Sequence, residues 1–504
     1  MIEDNLITRI CIRIFSWGCS FAVPIVSLIY YVYYITQRKS LLVEWLPDTF
    51  FTEFLYSFSD FLHYWLGFEL IFFVYFQVTK SRFQSHLPPV VPSKQVRQEL
   101  INFCFHTIDE FENWIEGWFN IGHKKSTVNQ IYRDNLAEWL AWSFFANSLD
   151  NVRNHPEYSK EINEMIELIE KHSKIKFRKG YNPNCECIKL TLDPVHAAPR
   201  SFAFYVIIFL LSFGFNILLK LYGFDHFGAK ESIMNGYWSS TLEFDIHEGC
   251  PPSRISYWYY DPHSCCDSFP LKKKGHKKPI VFIHGVGGGL FGYFNFIRKL
   301  WKLDRPLFLV ELPYVSMQMV EDVPTMEETV REIEEMLISR NYPKAIFVAQ
   351  SLGTVVCAWM LKEARKRISG LVLIDPIIFL LHYSNVAYNF KYRIPQAANE
   401  HLFFFASSEL YISHYFSRHF HWFQCILFIS PRYILPHNTY IYLSEKDNLI
   451  PTKEVYKYLS KNNVNVRMMH KLDHGNFLFN SYWGDQIVGD VLKCYNSKSY
   501  IHDY

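Results

Sequence analysis

The 504-residue sequence has little net charge and shows no pattern of paired cysteines. Its formal charge is only +2, because 51 lysines and arginines are nearly balanced by 49 aspartates and glutamates. A nucleic-acid-binding protein normally presents a strongly basic face, so we expect no nucleic-acid partner. The 11 cysteines are odd in number and follow neither a disulfide framework nor a zinc-site spacing, so we expect mostly reduced thiols and no metal.

The sequence also lacks N-x-S/T sequons, a weak indication that its soluble parts do not face the secretory lumen. It is rich in aromatic residues, which make up 18% of the chain and gather in long apolar runs. The first run, at residues 14–35, is uncharged for 22 residues, which is enough to cross a bilayer as a helix. It is longer than a signal-peptide core and has no A-x-A cleavage site, which favours an uncleaved anchor.

Two further runs, at residues 61–78 and 202–219, are candidates for a second and a third span. The second contains His63 and Glu69, and placing such groups in lipid is costly. It therefore spans, packs against its neighbours or lies at the interface. The third run is cleaner, and we expect a membrane helix over residues 201–221. Positive charges flank the runs on both sides, so the positive-inside rule gives no orientation.

The remaining chain divides into a helical part and an alternating part. After a proline-rich break, apolar residues at helical spacing predict a mostly helical region over 94–200, preceded by membrane segments over 1–93. Over residues 228–504, short apolar strands alternate with amphipathic helices, which predicts a parallel sheet covered on both faces. The predicted strands are 280–283, 307–310, 345–348, 371–374, 439–443 and 465–469.

A serine stands where one of these strands meets a helix. Residues 345–348 have the pattern of a buried strand, and the residues after Ser351 have helical spacing. A nucleophile elbow needs small side chains two positions before and after its serine, because the strained turn brings them against the neighbouring strand and helix. Ala349 and Gly353 meet this need, so we predict an elbow at Ser351.

The stretch from Ala349 to Gly353, A-Q-S-L-G, resembles the G-x-S-x-G elbow of the α/β-hydrolase superfamily, with alanine in place of the first glycine. The resemblance implies the α/β-hydrolase fold, a mostly parallel sheet with helices on both faces. It also implies a triad in the order Ser, Asp, His, with each member at a strand exit. Asp447 and His474 follow predicted strands in that order. Asp375 also follows a strand and is an alternative acid.

A serine hydroxyl is a weak nucleophile and needs a base. His474 would take the proton of Ser351 during attack and return it to the leaving group. Asp447 would hold the imidazole in the correct tautomer and stabilise its cationic form. The nearby Glu445 and Asp473 are expected to be solvated loop residues.

Acyl transfer also needs hydrogen-bond donors aimed at the developing oxyanion. The sequence HGVGGG, which begins at His284, resembles the family's HG-x-G oxyanion loop. By that resemblance the amides of Val286 and Leu352 form the oxyanion hole. Supporting positions in the elbow and in this loop are His284, Gly285, Gly287, Ala349, Gln350 and Gly353. A phosphate-binding loop is a weak alternative, because no G-K-[ST] accompanies the glycines.

The resemblance spans residues 279–493, and the residues before 228 share nothing with the superfamily core. With its anchors, its W-I-E-G-W-F motif and the L-D-P at Asp193, the front part resembles membrane-anchored fungal α/β-hydrolase-domain proteins. An aromatic-rich insert at residues 378–435 stands where family members carry a lid. It would cover an acyl-chain pocket, dock on a bilayer or form the core of a cap.

We therefore predict a membrane-anchored serine hydrolase that cleaves a carboxylic ester of a lipid-like substrate through an acyl-enzyme, without a cofactor. Its expected partners are a lipid or acyl-ester substrate and the bilayer, with the catalytic domain in the cytosol. One alternative is a lipid acyltransferase, since a dry lid can keep water from the acyl-enzyme. That class often carries an H-x-x-x-x-D motif, which the chain lacks. Another is a catalytically silent membrane scaffold built on the hydrolase fold.

Overall fold

The computed structural model of the chain describes residues 5–37, 52–228, 254–262 and 277–496. Parts of the predicted units, among them residues 38–51 and 229–253, therefore lie outside the described residues. The helices are α1 (Leu6–Trp17), α2 (Val23–Gln37), α3 (Thr52–Arg82), α4 (Lys94–Thr107), α5 (Phe111–Glu116), α6 (Arg133–Phe145), α7 (Leu149–Arg153), α8 (Pro156–Ser173), α9 (Phe202–Leu221), α10 (Phe294–Trp301), α11 (Met326–Ser339), α12 (Gly353–Glu363), α13 (Asn385–Ala387), α14 (Ala398–Ser407), α15 (Leu410–His414), α16 (Trp422–Cys425), α17 (Thr452–Lys461) and α18 (Ser481–Asn496). The strands are β1 (Phe119–Ile121), β2 (Lys124–Lys125), β3 (Glu186–Cys187), β4 (Asp225–Gly228), β5 (Ser256–Tyr260), β6 (Ile280–Ile283), β7 (Leu307–Val310), β8 (Ala345–Gln350), β9 (Ile368–Ile374), β10 (Thr439–Ser444) and β11 (Asn465–Met469).

Three helical segments in the described residues are long and apolar enough to cross a membrane: Leu6–Thr36, Asp60–Arg82 and Phe202–Leu221. The first joins α1 to α2 through a π-helical turn at Gly18–Ala22. Each segment includes the corresponding apolar run of the sequence. The helix α3 packs against both α2 and α9, so the three segments form one group.

The buried Glu69 lies on α3 beside the start of α9. Its carboxylate accepts hydrogen bonds from the amides of Phe202 at 2.6 Å and Ala203 at 2.9 Å. It also accepts a hydrogen bond from Trp65 Nε1 at 3.1 Å. The first amides of a helix have no intrahelical acceptor, and the helix dipole favours an anion there. This contact explains how an apolar helix accommodates a carboxylate.

The helix α9 is in contact with the α/β domain along its length. Its buried stripe starts at Phe204 and Tyr205, which pack on the 378–435 insert, and ends at Phe215 and Leu219, which join the core of the α/β domain. Its opposite face exposes Ile207, Leu210, Leu211, Ile217 and Leu221. One face of α9 is therefore part of the folded domain, while the other is an uncovered apolar surface.

The central sheet has eight strands in the order β11-β10-β9-β8-β6-β7-β5-β4. All neighbours pair in parallel except at β5, which runs antiparallel to β4 and β7. Alternate strand residues face two cores, one containing α11, α12 and α17 and the other α10 and α18. The fold is therefore α/β-hydrolase-like, a mostly parallel sheet with helices on both faces, and this part of the prediction is confirmed.

The sheet extends further towards the N-terminus than the sequence predicted. The strands β4 and β5 form an antiparallel edge, and β4 begins at Asp225, before the predicted boundary at 228. The strand β4 has only four residues and little apolar character. The strand β5 is a continuous aromatic run that does not alternate. Neither strand therefore shows the period of two that identifies a half-buried strand.

The helical region is not a separate unit, because it shares a core with the insert at 378–435. The indole nitrogens of Trp114 and Trp118 donate to the His382 carbonyl at 2.8 and 3.1 Å. In the other direction, Trp422 Nε1 donates to the Ser143 carbonyl at 2.7 Å. The region also contains the small antiparallel sheet β2-β1-β3, whose strands of two or three residues are too short to leave a pattern in the sequence.

Candidate active site

The turn at Ser351 has the geometry of a nucleophile elbow. Ser351 follows β8 directly, precedes α12 and has a φ of 49°, a left-handed conformation that is strained for a residue with a side chain. A Cβ atom on Gly353 would lie 2.5 Å from the Ile283 carbonyl oxygen and 2.6 Å from that of His284. Only glycine fits there, whereas Ala349 is buried without such a conflict. The alanine in place of the first glycine is therefore compatible with the turn.

Three side chains from three strand exits form one hydrogen-bonded chain. Ser351 Oγ lies 2.8 Å from His474 Nε2, and His474 Nδ1 lies 2.6 Å from Asp447 Oδ2. The other oxygen of Asp447 accepts the amides of Leu449 at 2.8 Å and Ile450 at 3.0 Å. The side chains of His474 and Asp447 are almost fully buried. The structure thus brings together the three residues that the sequence predicted as a triad.

The environment of His474 favours its protonated form. Burial by itself lowers the pKa of this imidazole, but the charge of Asp447 and the hydrogen bond to it outweigh burial and raise the pKa to about 9. The same interaction would stabilise an imidazolium formed during proton transfer from Ser351. With Nδ1 bonded to the carboxylate, Nε2 is the nitrogen directed at the serine.

Asp375, the alternative acid, is bonded to other partners. Its carboxylate accepts the Ser444 amide at 2.7 Å, the Ser444 hydroxyl at 3.0 Å and the Gly475 amide at 2.9 Å. Burial raises the pKa of Asp375. Asp375 therefore joins the end of β10 to the loop that carries His474, and the direct contact with the imidazole is made by Asp447.

Asp473 has a structural role that the sequence did not reveal. It was expected to be a solvated loop residue, but it is partly buried, and burial raises its pKa. Its carboxylate accepts the amide of His474 at 2.7 Å, the amide of Asn448 at 3.2 Å and the side-chain amide of Asn399 from α14. The Asp473 carboxylate thus connects the loop that carries Asp447, the loop that carries His474 and the helix α14, which we call the cap helix.

The predicted oxyanion loop is held by a neutral histidine. The His284 ring is fully buried, and burial lowers its pKa. Its Nε2 accepts the Leu312 amide at 2.9 Å, which assigns the proton to Nδ1, 2.7 Å from the Gly285 carbonyl. Gly287 lies at a φ of 151°, and its amide donates to the Val315 carbonyl at 3.1 Å. The loop conformation is therefore set by backbone hydrogen bonds.

A tyrosine joins this loop to the elbow. The Tyr293 hydroxyl accepts the Gly285 amide at 3.0 Å and donates to Gln350 Oε1 at 2.6 Å. Among the described residues, the amides of Val286 and Leu352 have no hydrogen-bond acceptor, and both residues line the same cavity as Ser351. Two unpaired amides beside a nucleophile could receive an anionic oxygen.

The cavity above Ser351 has a volume of about 220 Å³. Its innermost wall is formed by buried apolar side chains, namely Leu352, Ile377, Val386, Phe390, Phe416 and Leu449. The wall also includes Phe403 of α14, which is partly buried, and Phe479, which is 77% exposed. The burial gradient identifies a closed apolar end and an open end. Such a cavity fits an apolar group attached to a reactive centre at Ser351.

Asp375, Asp447 and His474 lie within 4.8 Å of one another, which by distance alone resembles a metal-ligand set. Each carboxylate oxygen, however, accepts a hydrogen bond from a protein donor. The His474 ring nitrogens are directed at Ser351 and Asp447. The group is arranged as a chain of hydrogen bonds.

No protein-family model and no curated protein sequence matches the chain. Solved structures that are similar include a carboxylesterase of the thaumarchaeon Nitrososphaera gargenis, at 13% identity and a TM-score of 0.33, covering 48% of this chain and 95% of the other. A carboxylesterase from Bacillus subtilis has 10% identity and a TM-score of 0.32, with 47% and 88% covered. A membrane phospholipase A described as a bacterial virulence factor has 12% identity and a TM-score of 0.38, with 58% and 94% covered. Similarity at this level carries no functional information for this chain.

Proposed function

We propose that the chain is a serine hydrolase that cleaves a carboxylic ester of a lipid-like substrate. The observation that carries this proposal is the hydrogen-bonded chain from Ser351 through His474 to Asp447, in a cavity that also contains two unpaired amides. A nucleophile, a base and oxyanion donors around one point are the parts that acyl transfer needs. Asp375 and Asp473 are positioning residues in this account.

In the first half of the reaction, Ser351 Oγ attacks the ester carbonyl carbon while His474 Nε2 takes the hydroxyl proton. The carbonyl oxygen becomes an oxyanion and accepts hydrogen bonds from the amides of Val286 and Leu352. When the tetrahedral intermediate collapses, the bond to the alcohol oxygen breaks and His474 gives its proton to that oxygen. An acyl-serine and a free alcohol result.

In the second half, water takes the place of the alcohol. His474 removes one of its protons as the water oxygen attacks the acyl carbonyl, and Asp447 stabilises the imidazolium so formed. Collapse of the second intermediate returns the proton to Ser351 Oγ and releases the carboxylic acid. The cycle needs no cofactor.

The lipid character of the substrate is supported by the apolar wall of the cavity. It is also supported by three helical segments long and apolar enough to cross a membrane, which would make the chain an integral membrane protein. We place the catalytic domain on the cytosolic side, in keeping with the absence of sequons and with the free cysteines of the described residues.

The test is labelling with a fluorophosphonate, which phosphonylates an activated serine. We expect the detergent-solubilised full chain to take up one label per molecule, and Ser351→Ala to take up none. Equal labelling of the two proteins would refute the assignment. Product analysis of the wild type with a competing alcohol separates hydrolysis, which releases free acid, from acyl transfer. A folded wild type that takes no label would favour the alternative of a catalytically silent membrane scaffold.

A further inference from the structure

The cap helix α14 lies between the catalytic cavity and the apolar helices. On one side, Phe403 lines the cavity with its ring centre 5.9 Å from that of His474. On the other side, the ring of Phe405 lies 5.7 Å from Phe15 of α1 and 5.6 Å from Phe204 of α9. One helix therefore touches both the catalytic histidine and the candidate membrane spans.

A buried arginine ties this cap helix to the first apolar segment. Arg200 donates to the Ser20 hydroxyl at 2.6 Å, to the Phe405 carbonyl at 2.8 Å and to the Ser408 hydroxyl at 3.0 Å. Ser20 lies in the π-helical turn between α1 and α2. At the other end of α14, Arg13 Nε of α1 donates to His401 Nε2 at 2.8 Å. Near both of its ends, α14 is thus tied to the first apolar segment.

The opposite side of the site also lies against these helices. The 3₁₀ turn at Gly289–Tyr293 continues the oxyanion loop and contacts α9. Within this turn, Phe291 packs on two clusters, one that includes Phe215 and one that includes Phe76 of α3. The oxyanion loop and the cap helix therefore both lie directly on the group formed by α1, α3 and α9.

Apolar side chains at the open end of the cavity face outwards. On α14, Leu402 is 39% exposed and Phe404 is 41% exposed, although they flank the cavity residue Phe403. Phe479, at the same opening, is the most exposed residue of the cavity wall. The outer face of α9 is apolar as well. Uncovered apolar surface of this extent next to candidate membrane spans marks a surface that meets lipid.

We propose that the cavity opens directly into the bilayer, and that its substrate is a lipid ester that reaches Ser351 sideways without leaving the membrane. This inference rests on the serine-hydrolase function proposed above. The ester group passes between Phe403 and Phe479, while Leu402 and Phe404 are immersed among acyl chains. Because one face of α9 packs on the α/β domain, lipid at its other face brings that domain to the bilayer surface. The apolar surface formed by Leu402, Phe404, Phe479 and the outer face of α9 is covered by lipid, since this surface continues the apolar faces of the three helical segments.

The test compares two substrates of the full-length protein. One is p-nitrophenyl butyrate in solution, and the other is a fluorogenic long-chain acylglycerol in phosphatidylcholine vesicles that also hold the protein. The variants are Leu402→Asp and Phe404→Asp, which place a charge outside the cavity. The matched control is Ile338→Asp, because Ile338 is an apolar residue of α11 that is 51% exposed. The helix α11 packs on the face of the sheet opposite to the one that α9, α10 and α18 cover. Fluorophosphonate labelling in detergent verifies that each variant retains a folded site.

We expect both α14 variants to lose about tenfold in kcat/KM on the vesicle substrate, or about 1.4 kcal/mol, since a charged side chain is disfavoured at a lipid-facing site. On the soluble ester they should stay near wild type, and Ile338→Asp should be unaffected on both substrates. Unchanged vesicle activity of the α14 variants would overturn the proposal and favour a protein partner for this surface. Equal losses on both substrates would also overturn it. A wild type that labels and cleaves neither ester would contradict the underlying hydrolase function instead.

Discussion

Replacing Asp447 by asparagine preserves the shape of the side chain but removes the charge that faces His474. In the folded protein burial lowers the imidazole pKa, but that charge and its hydrogen bond, with smaller contributions from the charges of Asp375 and Asp473, raise it from 6.5 to about 9. At about 1.4 kcal/mol per unit, the imidazolium is favoured by about 3 kcal/mol. Losing this preference costs about 10² to 10³ in kcat, and an asparagine that selects the wrong imidazole tautomer brings the loss towards about 10⁴.

Asp375→Asn is the matched comparison, because the same substitution is made in a buried carboxylate close by. Its carboxylate makes three hydrogen bonds, to Ser444 and Gly475, none of them to His474. An asparagine retains one oxygen acceptor, so we expect a loss of about 1 to 2 kcal/mol in transition-state stabilisation, or about fivefold to thirtyfold in kcat. Both variants should fold, which thermal unfolding of the detergent-solubilised chain can verify.

The assay is the kcat of p-nitrophenyl butyrate hydrolysis between pH 5 and 10. Asp447→Asn should also move the rise of activity to lower pH, because without the aspartate charge burial lowers the His474 pKa. Asp375→Asn should leave that rise closer to its wild-type position. A larger loss of kcat in Asp375→Asn than in Asp447→Asn would refute the assignment of the acid.

Four other predictions concern the same site. The raised pKa of His474 predicts that kcat/KM of the wild type increases with pH through about 9, where the neutral base forms; a flat profile from pH 6 to 10 would contradict it. By linkage, the stability that protonated His474 confers is complete below about pH 6.5 and is lost as the pH rises through about 9. Chemical unfolding at several pH values can measure this loss. Gly353→Ala should lower the free energy of unfolding by about 1 to 3 kcal/mol and impair activity, because the new Cβ would meet two carbonyl oxygens. The control Gly292→Ala should have little effect, because the space around its Cβ is open. Asn399→Ala should lower kcat several-fold and leave the pH profile unchanged. Asp473→Asn should lower kcat and also shift the pH profile to lower pH, since the Asp473 charge helps to raise the His474 pKa. Identical pH profiles of the two variants would show that Asp473 only supports the loop.

The central part of the site was accessible from the sequence because each of its residues has a local signal. Ser351 is framed by a buried strand, a helix and two small residues, and Asp447 and His474 directly follow apolar strands. In a parallel sheet the carboxyl ends of strands meet at one edge, so these positions are expected to converge. The sequence favoured Asp447 as the acid but left Asp375 as an alternative, since both follow strands, and the direction of the side chains distinguishes them.

What the sequence did not reveal depends on contacts between distant residues. Asp473 has the pattern of an exposed loop residue, and its role depends on the approach of Asn448, 25 positions away, and Asn399, 74 positions away. The packing of the helical region on the 378–435 insert joins residues still further apart, since Trp114 and His382 are separated by 268 positions. The strands β4 and β5 were missed because β4 is short with little apolar character and β5 is aromatic from its second residue onwards.

The most direct measurement is to trap the intermediate. The wild-type protein is mixed with p-nitrophenyl butyrate, quenched with acid during turnover, digested and analysed by peptide mass spectrometry. A covalent acyl-serine requires the mass of one butyryl group on the peptide that contains Ser351, and this adduct should be absent from His474→Ala. Turnover with the butyryl group on another residue would contradict the proposed mechanism.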